Sequence, residues 1–312
     1  MINNIKSIFA ILAIILLLGA CKKTTNTTTT TAAYQQHNQD LSNIKSESDN
    51  VNIDVNNAAG NSTFAKNTSF QAVSICGGTV DNTGLTATPQ YFVINYDGTT
   101  LCSNRIRSGS IKVALVTGTH WSTAGSQLLL TYTNYKVTFP SLNNHFITFN
   151  GTKLLTDVNG INYTTYLSSG SLTATIRERS YNMTVTFENN ATSNWNCARL
   201  STWTASNYST FATTVNGDTT IGGKIIDSWG QTRYGTNFTT QMLQPWQSGT
   251  TCGWWQPTSG NYTSVTDSFT VSALLGVNSS GTQVTSGCAY GFTLNWALTP
   301  SNITGQAILP YW

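Results

Sequence analysis

Short runs in which apolar and polar residues alternate, separated by turn-forming residues, fill the chain from about residue 69 to its end. Clear examples are residues 91–96 and 110–116, and the longer run 128–139, where alternate residues from Leu129 to Phe139 are assigned to one face. Strands at intervals of about 8–12 residues, with no amphipathic helix between them, are typical of antiparallel sheets. The pattern predicts an all-β body over 69–312, folded as an antiparallel β-sandwich or an extended β-meander.

Turn signals refine this prediction at three places. Asp97-Gly98 follows residues 91–96 and indicates a hairpin or a bulge. Residues 171–178 and 181–188 are predicted as two strands of a hairpin that turns at Arg179-Ser180. The polar stretch 190–196 leaves open a subdivision of the body into two domains.

The N-terminus carries the pattern of an exported lipoprotein. Lys6 precedes the apolar run Ile8 to Leu18, which fits the hydrophobic core of a signal peptide and is too short to span a bilayer. The run ends in Leu18-Gly19-Ala20-Cys21, which resembles a bacterial lipobox. We therefore expect residues 1–20 to be removed and Cys21 to be lipidated; the alternatives are ordinary cleavage with a free Cys21, or an uncleaved anchor. Lys22, where an Asp would favour inner-membrane retention, indicates an outer-membrane location with the membrane as partner.

Residues 21–68 are polar and of low complexity, with threonines from Thr27 to Thr31 and little apolar content between Asn50 and Asn61. Such a segment buries too little apolar surface to offset the entropy lost on ordering. The composition predicts a disordered tether between lipid and body. The alternative is a short helix near Leu41–Ser48.

Composition narrows the function class. Charged residues make up 9% of the chain, with 15 Lys and Arg against 12 Asp and Glu, and basic residues cluster only at Lys22-Lys23. A nucleic-acid partner is therefore not supported. Thr, Ser and Asn together exceed a third of the residues. This excess excludes a coiled coil, a helical bundle and a polytopic membrane protein.

Five cysteines remain once Cys21 is assigned to lipid. An exported compartment permits disulfides, and Cys76 and Cys102 flank the strand at 91–96. Cys252 and Cys288 form the next best pair, which leaves Cys197 as a buried apolar residue. No zinc or calcium ligand pattern is present, so no metal or other cofactor is predicted.

The segments Tyr96 to Cys102 and Arg105 to Ile111 resemble a motif of Bacteroidota cell-envelope lipoproteins without an assigned activity. Arg199 to Thr204 and Cys252 to Trp255 resemble later segments of that family, so the resemblance spans about residues 75–290. The tail departs from the family from Asn295 onward. The resemblance implies an all-β lipoprotein and assigns no activity.

Candidate catalytic groups are few. No nucleophile elbow, metalloprotease motif or phosphate-binding loop occurs. A glycoside hydrolase needs two carboxylates about 5–10 Å apart, and Glu178 and Glu188 on adjacent strands are the candidates. The favoured interpretation is that both glutamates lie solvated at strand ends, beside Arg177 and Arg179. His120, in a loop rich in Gly and Thr, is predicted to pack on the surface.

Aromatic residues are more suggestive, with 9 Trp and 13 Tyr in the chain. Five lie within about thirty residues and are candidates for a glycan-binding face: Trp229, Tyr234, Trp246, Trp254 and Trp255. The alternative is that they pack under loops or between sheets. We expect a non-enzymatic envelope protein that binds a ligand or joins an assembly with another envelope protein. A glycan-binding accessory protein is the second hypothesis, and a glycoside hydrolase is the third.

Overall fold

The fold was analysed in a computed structural model, which describes residues 25–60, 64, 74–161, 168–207, 209–252, 256–299, 301 and 303–311. The chain divides into two compact units, Met1–Asn43 and Ile44–Trp312. The predicted signal peptide and Cys21 lie outside the described residues.

The segment predicted as a tether is helical over most of its length, which corrects that prediction. Helix α1 spans Thr25–Gly60 and crosses the boundary between the units. In the first unit, Gln36 donates a hydrogen bond to Asp40 at 3.0 Å, a pairing of residues four apart that supports a polar helix. In the second unit, Val51 and Val55 are buried. Along the described chain, no helix is both long and apolar enough to span a bilayer.

Fifteen strands follow the helix within the described part of the chain. Their bounds are β1 Gly78–Asp81, β2 Tyr91–Cys102, β3 Arg105–Thr117, β4 Gln127–Phe139, β5 His145–Asp157, β6 Leu172–Phe187, β7 Thr192–Asn207, β8 Thr210–Gly217, β9 Thr219–Ile221, β10 Lys224–Gln231, β11 Asn237–Gly249, β12 Ser259–Thr266, β13 Phe269–Val277, β14 Gly291–Leu298 and β15 Thr304–Pro310. Short 3₁₀ turns lie at Thr83–Thr86 and Pro140–Leu142.

All of these strands belong to one sheet, and their pairings are antiparallel. The main path runs in sequence order from β1 to β7 and then from β10 to β15, while β8 pairs with β7 and β11, and β9 pairs with β10. The predicted all-β class is confirmed, and the architecture is the extended meander.

Bulges explain where the predicted hairpins differ from the strands. Residues 171–188 do not form a hairpin, because β6 continues through Arg179-Ser180 with a register shift between Ser180 and Met183. Asn182 occupies the left-handed region there, with φ 57°, a conformation that asparagine tolerates. Asp97-Gly98 is likewise a bulge within β2. Residues 190–196 span the turn from β6 into β7 of the same sheet and mark no domain boundary.

A further bulge reverses part of the predicted face of β4. Asn134 has a φ of 47°, and the register with β5 shifts between Tyr132 and Tyr135. The buried residues are therefore Leu128, Leu130 and Tyr132 before the bulge, and Tyr135, Val137 and Phe139 after it. A strict alternation from Leu129 to Phe139 fails because one inserted residue changes which face each side chain occupies.

Both predicted disulfides are present. Cys76 pairs with Cys102 and Cys252 pairs with Cys288, with sequence separations of 26 and 36 residues. Cys197 carries a free, buried thiol, as expected. Burial raises the pKa of this thiol, so the reactive thiolate is disfavoured.

Candidate functional site

The carboxylate of Glu178, a catalytic candidate, lies on the buried face of β6 with 1% of the residue exposed. It faces Lys153 Nζ at 3.4 Å and Arg199 Nη1 at 3.7 Å. On helix α1, Ser48 Oγ and Asn52 Nδ2 donate hydrogen bonds to it at 2.5 and 2.9 Å. Burial acts to raise the pKa of Glu178, but the two cations and the two hydrogen bonds outweigh it and lower the pKa to about 2.

Glu178 belongs to a larger ion-pair network between the 44–60 part of α1 and the sheet. The shortest contacts are Arg107–Asp54 at 2.6 Å, Lys45–Asp227 and Arg105–Glu47 at 2.7 Å, and Arg199–Asp49 at 2.8 Å. The network holds five cations, Lys45, Arg105, Arg107, Lys153 and Arg199, and five anions, Glu47, Asp49, Asp54, Glu178 and Asp227.

Five positive charges against five negative charges leave the network neutral. Ten of the 27 charged residues of the chain are used in this way. Buried charges are tolerated when they are paired, and each charge of this network has an oppositely charged partner within 4.0 Å, although Arg107 Nε, Arg199 Nε and Arg199 Nη1 have no hydrogen-bond acceptor among the described residues. The network explains how residues 44–60 of the helix, despite their polar sequence, are held against the sheet.

Glu188 occupies a different place and does not form a pair with Glu178. It follows the end of β6, where it contacts Arg233 Nη1 at 2.6 Å and His145 Nδ1 at 3.0 Å. Ten residues of extended strand separate the two carboxylates by roughly 30 Å, far beyond the spacing of a glycosidase pair. The expectation that they sit on adjacent strands is wrong, because Glu178 lies within β6 and Glu188 directly follows the end of the same strand. It is also wrong that Glu178 is solvated.

Aromatic side chains form a candidate site on the opposite, outer face of the sheet. Tyr181 of β6 and Trp229 of β10 lie with ring centroids 6.2 Å apart and planes at 62°, a T-shaped pair. Tyr181 is 60% exposed, and Trp229 is half-buried. The pair thus presents aromatic surface to solvent.

Asn196 of β7 holds the two aromatic strands together. Its Oδ1 accepts a hydrogen bond from the backbone N–H of Asn182, beside Tyr181, and its Nδ2 donates to the backbone oxygen of Trp229 at 3.3 Å. Asn196 is itself 8% exposed. One buried amide therefore links the backbone of Trp229 to that of Asn182, the neighbour of Tyr181.

Gly230, the neighbour of Trp229, allows β10 to approach β7. A Cβ on this residue would lie 1.9 Å from the backbone oxygen of Asn194, and its φ of 153° is one that other residues rarely adopt. The close approach brings Trp229 into register with Asn196. Glycine is required at this position by both the contact and the dihedral angle.

The outer face around Trp229 is dominated by uncharged residues. Trp229 pairs with Thr239, which pairs with Val265, which pairs with Thr270, so these residues share one face. At Thr270 the face opens into a shallow depression of about 490 Å³. Its outward-facing lining consists of Thr270, Ser272, Asn295, Ala297, Thr304 and Gln306.

The other predicted aromatic residues do not join this pair. Tyr234 lies in the turn between β10 and β11 and is 51% exposed. Trp246 pairs with the buried Val215, on the face of the sheet opposite to Trp229. Trp254 and Trp255 lie outside the described residues. Of the five candidates, Trp229 is half-buried on the outer face, Tyr234 is exposed in a turn, and Trp246 lies on the opposite face.

Sequence reasoning missed Tyr181 and Asn196. A signal for Tyr181 exists, because the alternation of Arg177, Arg179 and Tyr181 places all three on one face if β6 is read as a single strand. The predicted turn at Arg179-Ser180 hid this alternation. No local signal distinguishes Asn196 from the chain's many other asparagines.

Neither metal-binding residues nor similar known proteins add a functional assignment. Within the described ranges, no group of three or more His, Cys, Asp or Glu side chains is placed to hold a metal ion. His120 lies half-exposed in the turn after β3. Comparisons with protein families, curated proteins and solved structures find no match for this chain.

Proposed function

We propose that this protein is a lipid-anchored protein of the outer membrane whose β body binds a glycan at the Tyr181–Trp229 pair. The observation that carries the proposal is the solvent-facing aromatic pair, whose two strands Asn196 joins through hydrogen bonds to the backbones of Asn182 and Trp229. Positioned aromatic rings among uncharged hydrogen-bonding groups suit ligands that have both apolar C–H faces and hydroxyl groups. Sugar rings have this chemistry.

The proposed role is binding rather than catalysis. Glu178 is committed to Lys153 and Arg199, and Glu188 to Arg233 and His145. A general acid or base needs access to the proton it transfers, and Glu178 is closed off from solvent. The aromatic pair lies on the other face of β6 from Glu178, which supports a site that holds a ligand without cleaving it.

Substitution of either ring tests glycan binding. We expect Tyr181→Ala and Trp229→Ala each to weaken binding about tenfold or more, because a central aromatic contact contributes on the order of 1.4 kcal/mol or more. Intrinsic tryptophan fluorescence and titration calorimetry against a panel of bacterial, plant and mucin oligosaccharides measure the change.

Tyr290→Ala is the matched control, since Tyr290 is 46% exposed and lies outside the aromatic pair. It should leave affinity unchanged. If no oligosaccharide of the panel binds the unmodified protein, the glycan proposal fails. Equal losses for the Tyr181 and Tyr290 variants would place the binding site elsewhere.

Lipid attachment is tested separately at Cys21. We expect the protein to incorporate an alkyne-tagged fatty acid in cells and to fractionate with the outer membrane, and Cys21→Ser to lose both properties. Several acyl chains on one residue give stable anchoring, so the loss should be nearly complete. A labelled Cys21→Ser variant would contradict the assignment. Protease digestion of intact and lysed cells then shows which side of the membrane the body faces.

A further inference from the structure

Two arginines lie on the same strand face as Tyr181. Along β6 the even-numbered residues from Ala174 to Ser180 are buried, whereas Arg177, Arg179 and Tyr181 are exposed or half-buried. Alternate residues of a strand point to the same face, so the arginines continue the row that ends at the aromatic pair. Arg177 lies about 13 Å from Tyr181 along the strand, at about 3.3 Å per residue.

The charge at this row is not neutralised. Arg177 Nε and Arg179 Nη2 both contact Asp218 Oδ2 at 2.7 Å, so two guanidinium groups share one carboxylate and leave one excess positive charge. The side chain of Arg177 is 42% exposed, and that of Arg179 is 24% exposed. This differs from the buried network, where cations and anions are equal in number.

The immediate neighbours supply no further anion. The residues paired with Arg177 are Thr156 and Leu200, and those paired with Arg179 are Leu154 and Ala198. All four are uncharged. A guanidinium group offers several donors in a fixed plane, and Arg177 uses only its Nε toward Asp218, which leaves the Nη edge for another acceptor.

We propose that the glycan bound at the Tyr181–Trp229 pair is acidic, and that Arg177, assisted by Arg179, binds its carboxylate or sulfate group. This inference rests on the proposed glycan site and specifies its ligand class. Arginine recognises planar carboxylates and sulfate-like anions through paired charge-assisted hydrogen bonds. A chain of a few sugar units that stacks on Tyr181 and Trp229 reaches Arg177 along the same strand.

The test compares acidic and neutral ligands on the same protein. The probes are oligogalacturonate for the carboxylate, a carrageenan-derived oligosaccharide, which carries sulfate but no carboxylate, for the sulfate, and a cello-oligosaccharide as the neutral ligand. We expect at least one acidic probe to bind about tenfold or more tightly than the neutral probe, and its affinity to fall as ionic strength rises. Which acidic probe binds identifies the anionic group.

Variants at Arg177 assign the effect. Arg177→Gln should weaken binding of the acidic probe about tenfold and leave binding of the neutral probe unchanged. Arg177→Lys should retain part of the affinity, because it keeps the positive charge but loses the paired donors of the guanidinium group. Lys112→Gln is the matched control, because it removes one exposed cation from β3. Thermal unfolding of each variant confirms that it is folded.

The possible results distinguish the acidic-ligand inference from the glycan-binding proposal on which it rests. If Trp229→Ala abolishes binding but neutral and acidic probes bind equally, without salt dependence, the acidic-ligand inference is overturned and the glycan site stands. If Trp229→Ala changes no affinity, both are overturned. If Arg177→Gln and Lys112→Gln weaken binding of the acidic probe equally, the loss comes from the lower positive charge of the whole protein, and Arg177 does not recognise the anionic group.

Discussion

Replacing Glu178 with glutamine is expected to lower the free energy of unfolding by about 3–5 kcal/mol, the range for removing one partner from a buried ion pair. The substitution leaves Lys153 without its carboxylate and removes one of the two carboxylates near Arg199. The hydrogen bonds from Ser48 and Asn52 also lose a charged acceptor. Chemical denaturation with fluorescence detection measures the change.

Glu188→Gln is the control for this prediction. The side chain of Glu188 is 33% exposed, and an ion pair in that setting contributes at most about 1 kcal/mol. If the two substitutions cost the same, the buried network is not a major source of stability. If Glu178→Gln is neutral, the contacts of Glu178 do not contribute to holding residues 44–60 against the sheet.

The pH dependence of the same variant provides a second readout. Because the pKa of Glu178 is about 2 in the folded protein and about 4.5 when unfolded, its contribution is fully present above about pH 4.5 and is lost as pH falls toward 2. Asp157 acts oppositely, because burial raises its pKa to about 6 and its ionisation destabilises the fold as pH rises from about 4 to 6. The stability gap between the protein and Glu178→Gln should therefore narrow on acidification, while the Asp157 effect cancels between them.

Replacing Gly230 with alanine is expected to destabilise the fold by about 2–4 kcal/mol and to abolish glycan binding. The added Cβ would lie 1.9 Å from the backbone oxygen of Asn194, and alanine is strained at a φ of 153°. Strand β10 must move away from β7, which breaks the contact between Asn196 and Trp229. Denaturation and calorimetry with the oligosaccharide panel measure the two effects.

Gly235→Ala is the matched control in the turn that follows β10. Gly235 also has a positive φ, 78°, but no atom lies within 4 Å of an added Cβ. It should cost about 1 kcal/mol from the dihedral angle alone and leave binding intact. Retained binding in Gly230→Ala would show that Trp229 does not need its register with Asn196.

The lipobox hypothesis and the acidic-ligand inference depend on different residues and can be tested independently. The first depends on Cys21 and residues that precede the described chain. The second depends on Arg177, Tyr181 and Trp229, which lie within one sheet. The denaturation experiments first establish that the full chain folds. The body without its lipid anchor is used for the binding measurements only if it folds as well.

Local patterns in the sequence determined the fold class and both disulfides. Alternation of side chains along an extended strand is a property of the strand itself, so all-β structure follows from short windows of residues. The pairing of Cys76 with Cys102 follows from their positions on either side of a predicted strand, and Cys252 with Cys288 is the next best pair among the remaining cysteines. The same local signals misplaced β6 and half of β4, because a bulge at Asn182 or Asn134 changes the face without a distinctive sequence mark.

Only the tertiary structure decided the state of the helix and the composition of the site. Residues 44–60 are too polar to predict as a buried helix, and their partners lie far away in sequence: Ser48 is 130 residues from Glu178, and Asp49 is 150 from Arg199. Tyr181 and Trp229 likewise meet only because β6 and β10 pair with the two sides of β7 at the same level. The free energy of burying a charge or exposing a ring depends on what lies opposite it, and the sheet's register supplies that neighbour.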